Sequence, residues 1–252
     1  TNLEMLHPAV STRAVDGQWE SNDTIGISST GMMDNMKFTR SGTSNQFVSA
    51  STVWFKDKGV RSFSAYYPYN ANPTNDLIMF QVPDSAIQSK QKVNDFLFAS
   101  GQASYAYPSL TLNFTHKMAR VFIKIYPSPE YGFTTNDFSG SILTFCDYFD
   151  SGTFNIKTGK VECSEESVST GYFGEVKSSY MTFMLYVPAQ TVPNIQLDLQ
   201  NGEHYTFSIN DKWEAGHSYS YSLKPVRSKL QITSVSISSW ESEQEQSIPG
   251  YI

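Results

Sequence analysis

The run Leu110-Thr111-Leu112-Asn113-Phe114-Thr115-His116-Lys117-Met118-Ala119-Arg120-Val121-Phe122-Ile123-Lys124-Ile125 decides the fold class. Its first part alternates apolar and polar residues, so Leu110, Leu112 and Phe114 share one face of an extended strand. Val121, Ile123 and Ile125 share the next apolar face, but at the opposite parity. A strand repeats every two residues, so one unbroken strand cannot bury both sets on the same side. The phase change must fall within residues 116–120, as a bulge or as a bend between two sheets.

The same alternation continues on either side of this run. Ile25 and Ile27 point one way and lead into a Ser28-Ser29-Thr30-Gly31 loop. Phe63, Ala65 and Tyr67 share a face of a strand that Pro68 ends. Further strands are expected near 142–145, 152–156, 160–163, 181–187, 195–199, 205–209, 218–223 and 230–240. Asn201-Gly202 joins two of them as a hairpin turn. In the last strand Leu230 and Ile232 have one parity, Val235 and Ile237 the other. One short helix is expected over 84–93, with Asp84 as its N-cap. A single helix among so many strands disfavours a βαβ architecture, and strand spacing of about ten residues suggests a sandwich.

Composition agrees. The 252 residues are 39% hydrophobic, 14% aromatic and 17% charged. That supports a packed core, and Ser plus Thr (about a fifth of the chain) supply much of the uncharged polar surface. Net charge is −6, with no cluster of Lys and Arg, which argues against nucleic-acid partners and polybasic membrane contact. The longest apolar runs are too short to span a bilayer. Thr1 is not an initiator Met, so the start reads as a processed or truncated end. Cys146 and Cys163 are compatible with a disulfide in an exported protein or with two buried thiols.

A search for chemistry finds little. His7, His116, His204 and His217 lack metal-ligand spacing, and His116 reads as a hydrogen-bonded structural residue. No nucleophile elbow, phosphate loop or dinucleotide fingerprint occurs. No cofactor, metal or catalytic residue is expected. The cluster Tyr66-Tyr67-Pro68-Tyr69 could stack on a sugar, making Tyr66, Tyr67 and Tyr69 candidate glycan contacts, although such residues more often pack a core.

The ends say more. Arg13 is the only basic residue before Lys37 and lies in a short polar connector, a suitable substrate for an Arg-specific protease. The chain closes with a strand, a polar acidic tail, and apolar Ile248, Tyr251 and Ile252. Apolar residues at a solvated terminus call for a partner surface.

Several segments then resemble, in order and over nearly the whole chain, the fimbrillin-like (Mfa-like) pilins and adhesins of Bacteroides-type bacteria. They are Thr12-Arg13-Ala14, Trp19 with Asn22-Asp23-Thr24-Ile25-Gly26-Ile27, Phe63-Ser64-Ala65-Tyr66-Tyr67-Pro68-Tyr69, and Asp95-Phe96-Leu97-Phe98-Ala99. The most specific is residues 112–121, followed by 185–190, 216–223 and 232–240.

The resemblance implies an all-β chain of two transthyretin-like β-sandwich domains in tandem. The composition shift at 101–108 sets them at 1–107, with a cleavable leading segment 1–13, and 108–252. Pro127-Ser128-Pro129 is the alternative divide. The resemblance also implies export as a lipoprotein precursor and residence in a fimbrium at the outer membrane. Assembly would follow a cut between Arg13 and Ala14. The leading strand departs and a neighbour's segment 230–252 fills its place, with Leu230, Ile232, Val235, Ile237, Trp240, Ile248 and Ile252 as donor residues. Expected partners are other pilin subunits, alike or different, an Arg-specific protease, and a host glycan or protein. Two other readings stand beside it: a surface adhesin or carbohydrate-binding tip module that does not polymerise, and a β-sandwich glycosidase with paired carboxylates.

Overall fold

The computed structural model describes residues 7–10, 19–41, 46–191, 194–209, 211–226 and 229–240. The chain runs through β1 (His7–Val10), β2 (Thr24–Ser29), β3 (Met33–Arg40), β4 (Phe47–Val48), β5 (Val60–Tyr67) and β6 (Leu77–Gln81). One turn of helix, α1 (Gln88–Gln91), precedes β7 (Leu97–Ser104), β8 (Ser109–Leu112), β9 (Thr115–His116) and β10 (Ala119–Ile125). Next come β11 (Ile142–Tyr148), β12 (Ser151–Asn155), β13 (Val161–Cys163), β14 (Val168–Phe173), β15 (Glu175–Val176) and β16 (Met181–Val187). The last are β17 (Gln190–Thr191), β18 (Asn194–Asp198), β19 (His204–Ser208), β20 (Lys212–Trp213), β21 (His217–Val226) and β22 (Lys229–Ser239).

The chain is all-β, as expected. A six-stranded sheet has the order β4-β3-β2-β5-β7-β9, and a nine-stranded sheet the order β14-β11-β18-β19-β22-β21-β10-β16-β15. A three-stranded sheet, β13-β12-β6, takes β6 from the first stretch of chain and pairs it with β12 from the second. Two short pairs, β1-β8 and β17-β20, complete the set among the described residues.

Three apolar clusters follow from the alternation. Trp19, Ile25, Ile27, Phe63, Leu97, Leu110, Leu112 and Phe114 share one. Val121, Ile123, Ile125, Phe145, Leu185, Trp213 and Tyr221 share a second. Tyr66, Phe80, Phe96, Met118, Phe154, Tyr186 and Trp240 form a third, where the sheets meet. The parity change in the deciding run is therefore a change of core. β9 pairs with β7 in the six-stranded sheet, whereas β10 sits between β21 and β16 in the larger one.

The structure differs from expectation in several places. The divide at 107/108 falls inside the first body. Ser104 and Tyr107 bond each other's backbone in a turn, and Leu110 to Phe114 then return to the first core. The helix is four residues long, because 84–86 pair instead with the end of β14: Ala86 N–H donates to Phe173 O, and Phe173 N–H to Asp84 O. Asp84 is consequently not an N-cap; Ile87 occupies that position. The hairpin turn holds, with Gly202 at φ +88 and Leu199 bonded to Glu203. Cys146 and Cys163 are half-buried free thiols, and burial pushes the Cys163 thiol up.

Candidate functional site

Both ends of the described chain are strands: among the described residues β1 is paired with β8 alone, and β22 lies between β19 and β21 in the nine-stranded sheet. β1 lies parallel to β8, with His7 opposite Ser109 and Val10 opposite Leu112. It also contacts β4, so it lies between the first and last parts of the six-stranded body. On β8, Leu110 and Leu112 point inward and are fully buried, while Ser109 and Thr111 point outward. Without β1, the N–H and C=O groups of β8 that face it would lose their partners beside an apolar core. Arg13 and Ala14 lie outside the described residues. The chain is next seen at Trp19, whose ring packs edge-on against Phe47, Tyr67 and Phe114 at 4.9–5.5 Å.

β22 pairs with β21 over its whole length, with one slip. Ser222 faces Ser234 and Leu223 faces Ile232, so Thr233 is an extra residue, and its hydroxyl donates to Ser222 O at 3.0 Å. This bulge resolves the parity conflict. Ile232, Val235 and Ile237 stand opposite Leu223, Tyr221 and Tyr219, and cross-strand partners point to the same face. The β21 residues are buried in the second core, yet Ile232, Val235 and Ile237 are 38%, 45% and 52% exposed. The core-facing side is thus covered over β21 and open over β22. On its other edge β22 meets β19 only at Thr206 and Lys229. The rest of that edge has no strand partner among the described residues.

The expected donor residues therefore divide. Ile232, Val235 and Ile237 form an open apolar face. Leu230 lies on the same side but is buried in the second cluster, and Trp240 is buried in the third, so neither adds to the open part of that face. Ile248 and Ile252 lie outside the described residues.

Trp240 fixes the end of β22. Its ring stacks on His116 at 3.7 Å and 10°, meets Tyr186 at 4.8 Å, and has the Arg120 guanidinium 5.2 Å away. His116 Nδ1 lies 2.8 Å from Asp95 Oδ1, and Arg120 Nε donates to Ser218 Oγ at 3.1 Å. Trp240 N–H donates to Gly216 O, and Gly216 N–H to Met118 O. The last strand is thereby tied to the segment where the chain changes cores. The hydrogen bond expected of His116 is present, to Asp95, but nothing in the sequence signalled that Trp240 would stack on it.

The tyrosine cluster does not form an exposed platform. Tyr66 is 1% exposed, with its Oη 2.7 Å from Asn35 Oδ1, and burial pushes its hydroxyl up to about 12. Tyr67 reaches Asp23 Oδ1 at 3.2 Å and packs on Trp19; burial raises its hydroxyl as well. Tyr69 is half-buried beneath Lys37, 5.7 Å from its ring. Tyr66 is thus covered by the three-stranded sheet and offers no free ring to a sugar, while Tyr67 is half-buried against Trp19. Among the described residues no helix is long and apolar enough to cross a membrane, and no group of His, Cys, Asp or Glu is placed to hold a metal.

Comparison with known proteins gives a consistent result. The fimbrillin-like family model matches residues 12–240. A Bacteroides uniformis protein assigned as fimbrium subunit Fim1C is 24% identical over 249 residues, spanning 89% of this chain and 80% of that protein. A crystal structure of a cell adhesion protein from Bacteroides uniformis superposes with a TM-score of 0.78 at 22% identity, covering 94% of this chain and 99% of the other. Another, from Bacteroides ovatus, gives 0.75 at 20%, covering 96% and 100%.

Proposed function

The chain belongs to the fimbrillin-like family of fimbrial and cell-adhesion proteins, and from that premise we propose that it is a non-catalytic fimbrial subunit joined to its neighbours by strand exchange. Its two compact bodies then read as tandem transthyretin-like sandwiches. A protease cuts between Arg13 and Ala14, β1 departs, and the β8 edge over Leu110 and Leu112 opens. A neighbour's C-terminal segment pairs with that edge by β-augmentation. Export as a lipoprotein precursor would bring the chain to the outer membrane before this cut.

The observation that carries this reading is β1 itself: a four-residue strand on β8, continuous with the connector that holds Arg13. So short a strand is held by few ladder bonds, each contributing about 0.5–1.5 kcal/mol net. An incoming strand that buries three aliphatic side chains brings roughly 5–9 kcal/mol before ordering costs. Head-to-tail contacts of this kind do not close on themselves, so they extend a fibre.

The test is limited digestion with an Arg-specific protease, followed by mass spectrometry and size-exclusion chromatography. A discrete cut after Arg13 should yield higher oligomers, and Arg13→Ala should abolish both. Trimmed protein that remains monomeric would end the strand-exchange reading.

The burial of Leu230 and Trp240 favours a second reading, an adhesin that accepts a strand but keeps its own C-terminal strand at home. Val235→Ser/Ile237→Ser separates the two. Assembly that persists in this variant assigns β22 to its own fold.

A further inference from the structure

The outer face of the six-stranded sheet carries a feature that strand exchange does not use. Ser28 on β2 stands opposite Ser64 on β5, and Ser64 opposite Ser100 on β7, so three hydroxyls form a row across the sheet. The neighbouring row is Gly26, Tyr66 and Phe98. Lys157, on the turn between β12 and β13, closes one side. Its Nζ donates to Ser28 Oγ at 2.9 Å, pairs with Asp34, and lies 3.8 Å from Asp76. That turn approaches closely because Gly159, at φ +70, rests on Phe98, where a Cβ would fall 2.4 Å from the ring.

Between these walls is an open cleft of about 760 Å3, within the roughly 300–1,000 Å3 of small-molecule sites. Ser29 lines it too, although its hydroxyl oxygen is fully buried, with no hydrogen-bond partner among the described residues.

The lining selects the ligand's chemistry. Serine hydroxyls both donate and accept, as sugar hydroxyls do. Asp34 and Asp76 can accept from adjacent hydroxyls, Lys157 can donate, and Phe98 offers an apolar ring to the C–H face of a pyranose. Two carboxylates and one ammonium leave a local charge of −1, which disfavours phosphate, sulfate and carboxylate ligands. We propose that this cleft binds a neutral saccharide. Its serine row lies on the opposite face of the sheet from the Phe63 and Ala65 side chains, and Phe63, Met32 and Met33 join its lining where it borders the first core. Its success or failure is therefore independent of strand exchange.

The test uses the full chain and saturation-transfer NMR with lactose, maltose and N-acetylglucosamine at about 10 mM, with sialyllactose as the anionic comparison. At least one neutral sugar should receive saturation, and Ser64→Ala/Ser100→Ala should weaken binding about tenfold or more. Asp34→Asn changes a side chain that is 80% exposed, so it preserves the fold and provides a second handle on the same site. Loss of binding in either variant bears the proposal out. No signal from any neutral sugar, signal from sialyllactose alone, or binding unchanged in both variants overturns it.

Discussion

Replacing Trp240 by Ala should both destabilise the protein and loosen its last strand. The indole is 5% exposed and touches His116, Tyr186 and Arg120 at the junction of the sheets. Truncating a buried Trp to Ala costs about 3–5 kcal/mol, through lost transfer energy and the cavity left behind. The desolvated Arg120 contact accounts for about 0.5–2 kcal/mol of that. Trp240→Phe is the control. The indole Nε1 is buried without a hydrogen-bond partner among the described residues, so Phe forfeits none of the bonds described and should cost about 1–2 kcal/mol, chiefly in volume. Urea unfolding followed by far-UV circular dichroism measures both, and amide exchange across β22 reports the loosening. A loss below about 1 kcal/mol in the Ala variant, or a Phe variant as damaged as the Ala one, would refute the account of Trp240 as the anchor of β22.

Two further outcomes follow from the cleft wall. Gly159→Ala places a Cβ against Phe98 at positive φ, whereas Gly132→Ala, also at positive φ, meets open space. The first should lower stability by more than the second, which should lose about 1 kcal/mol; equal losses in thermal melts would remove Phe98 from the explanation. The Lys157 hydrogen bond holds the Asp34 carboxyl below its ordinary 3.8. A depressed carboxylate stabilises the fold above 3.8 and loses that contribution as pH falls through its lowered value. NMR titration should place the Asp34 midpoint below 3.8 and return it toward 3.8 in Lys157→Met; a native midpoint at or above 3.8 would contradict the ion pair.

Much of this architecture was legible because alternation is a property of neighbouring residues. Leu110 to Phe114 and Val121 to Ile125 announced two faces, and the structure turned them into two cores. The conflict between Leu230–Ile232 and Val235–Ile237 was also visible, but not that one bulged Thr233 would bring both pairs to the same side. Strands β3 and β14 escaped notice because each has only one buried apolar side chain, Phe38 and Tyr172. Tyr66 shares a strand face with the polar Ser62 and Ser64, yet a second sheet from distant sequence covers it. Long-range pairings such as β6 with β12 leave no local trace. The same limit hid the cleft, whose row of serines lies on three strands and whose lysine lies on a fourth element. The role proposed for the ends rests on resemblance, since four residues of β1 carry no pattern of their own.

The pairing of β6 with β12 has a mechanical consequence. Five residues from the first part of the chain form a ladder with the second, and Phe96 stacks on Phe154 beside it at 4.6 Å. The two bodies are therefore sewn together through a shared sheet and a shared aromatic cluster rather than tethered by a single crossing of the chain. In a fibre built from such units, each repeat acts as a stiff strut. Bending under flow is then concentrated at the joints between subunits, and their strength and angle set how the filament yields to shear.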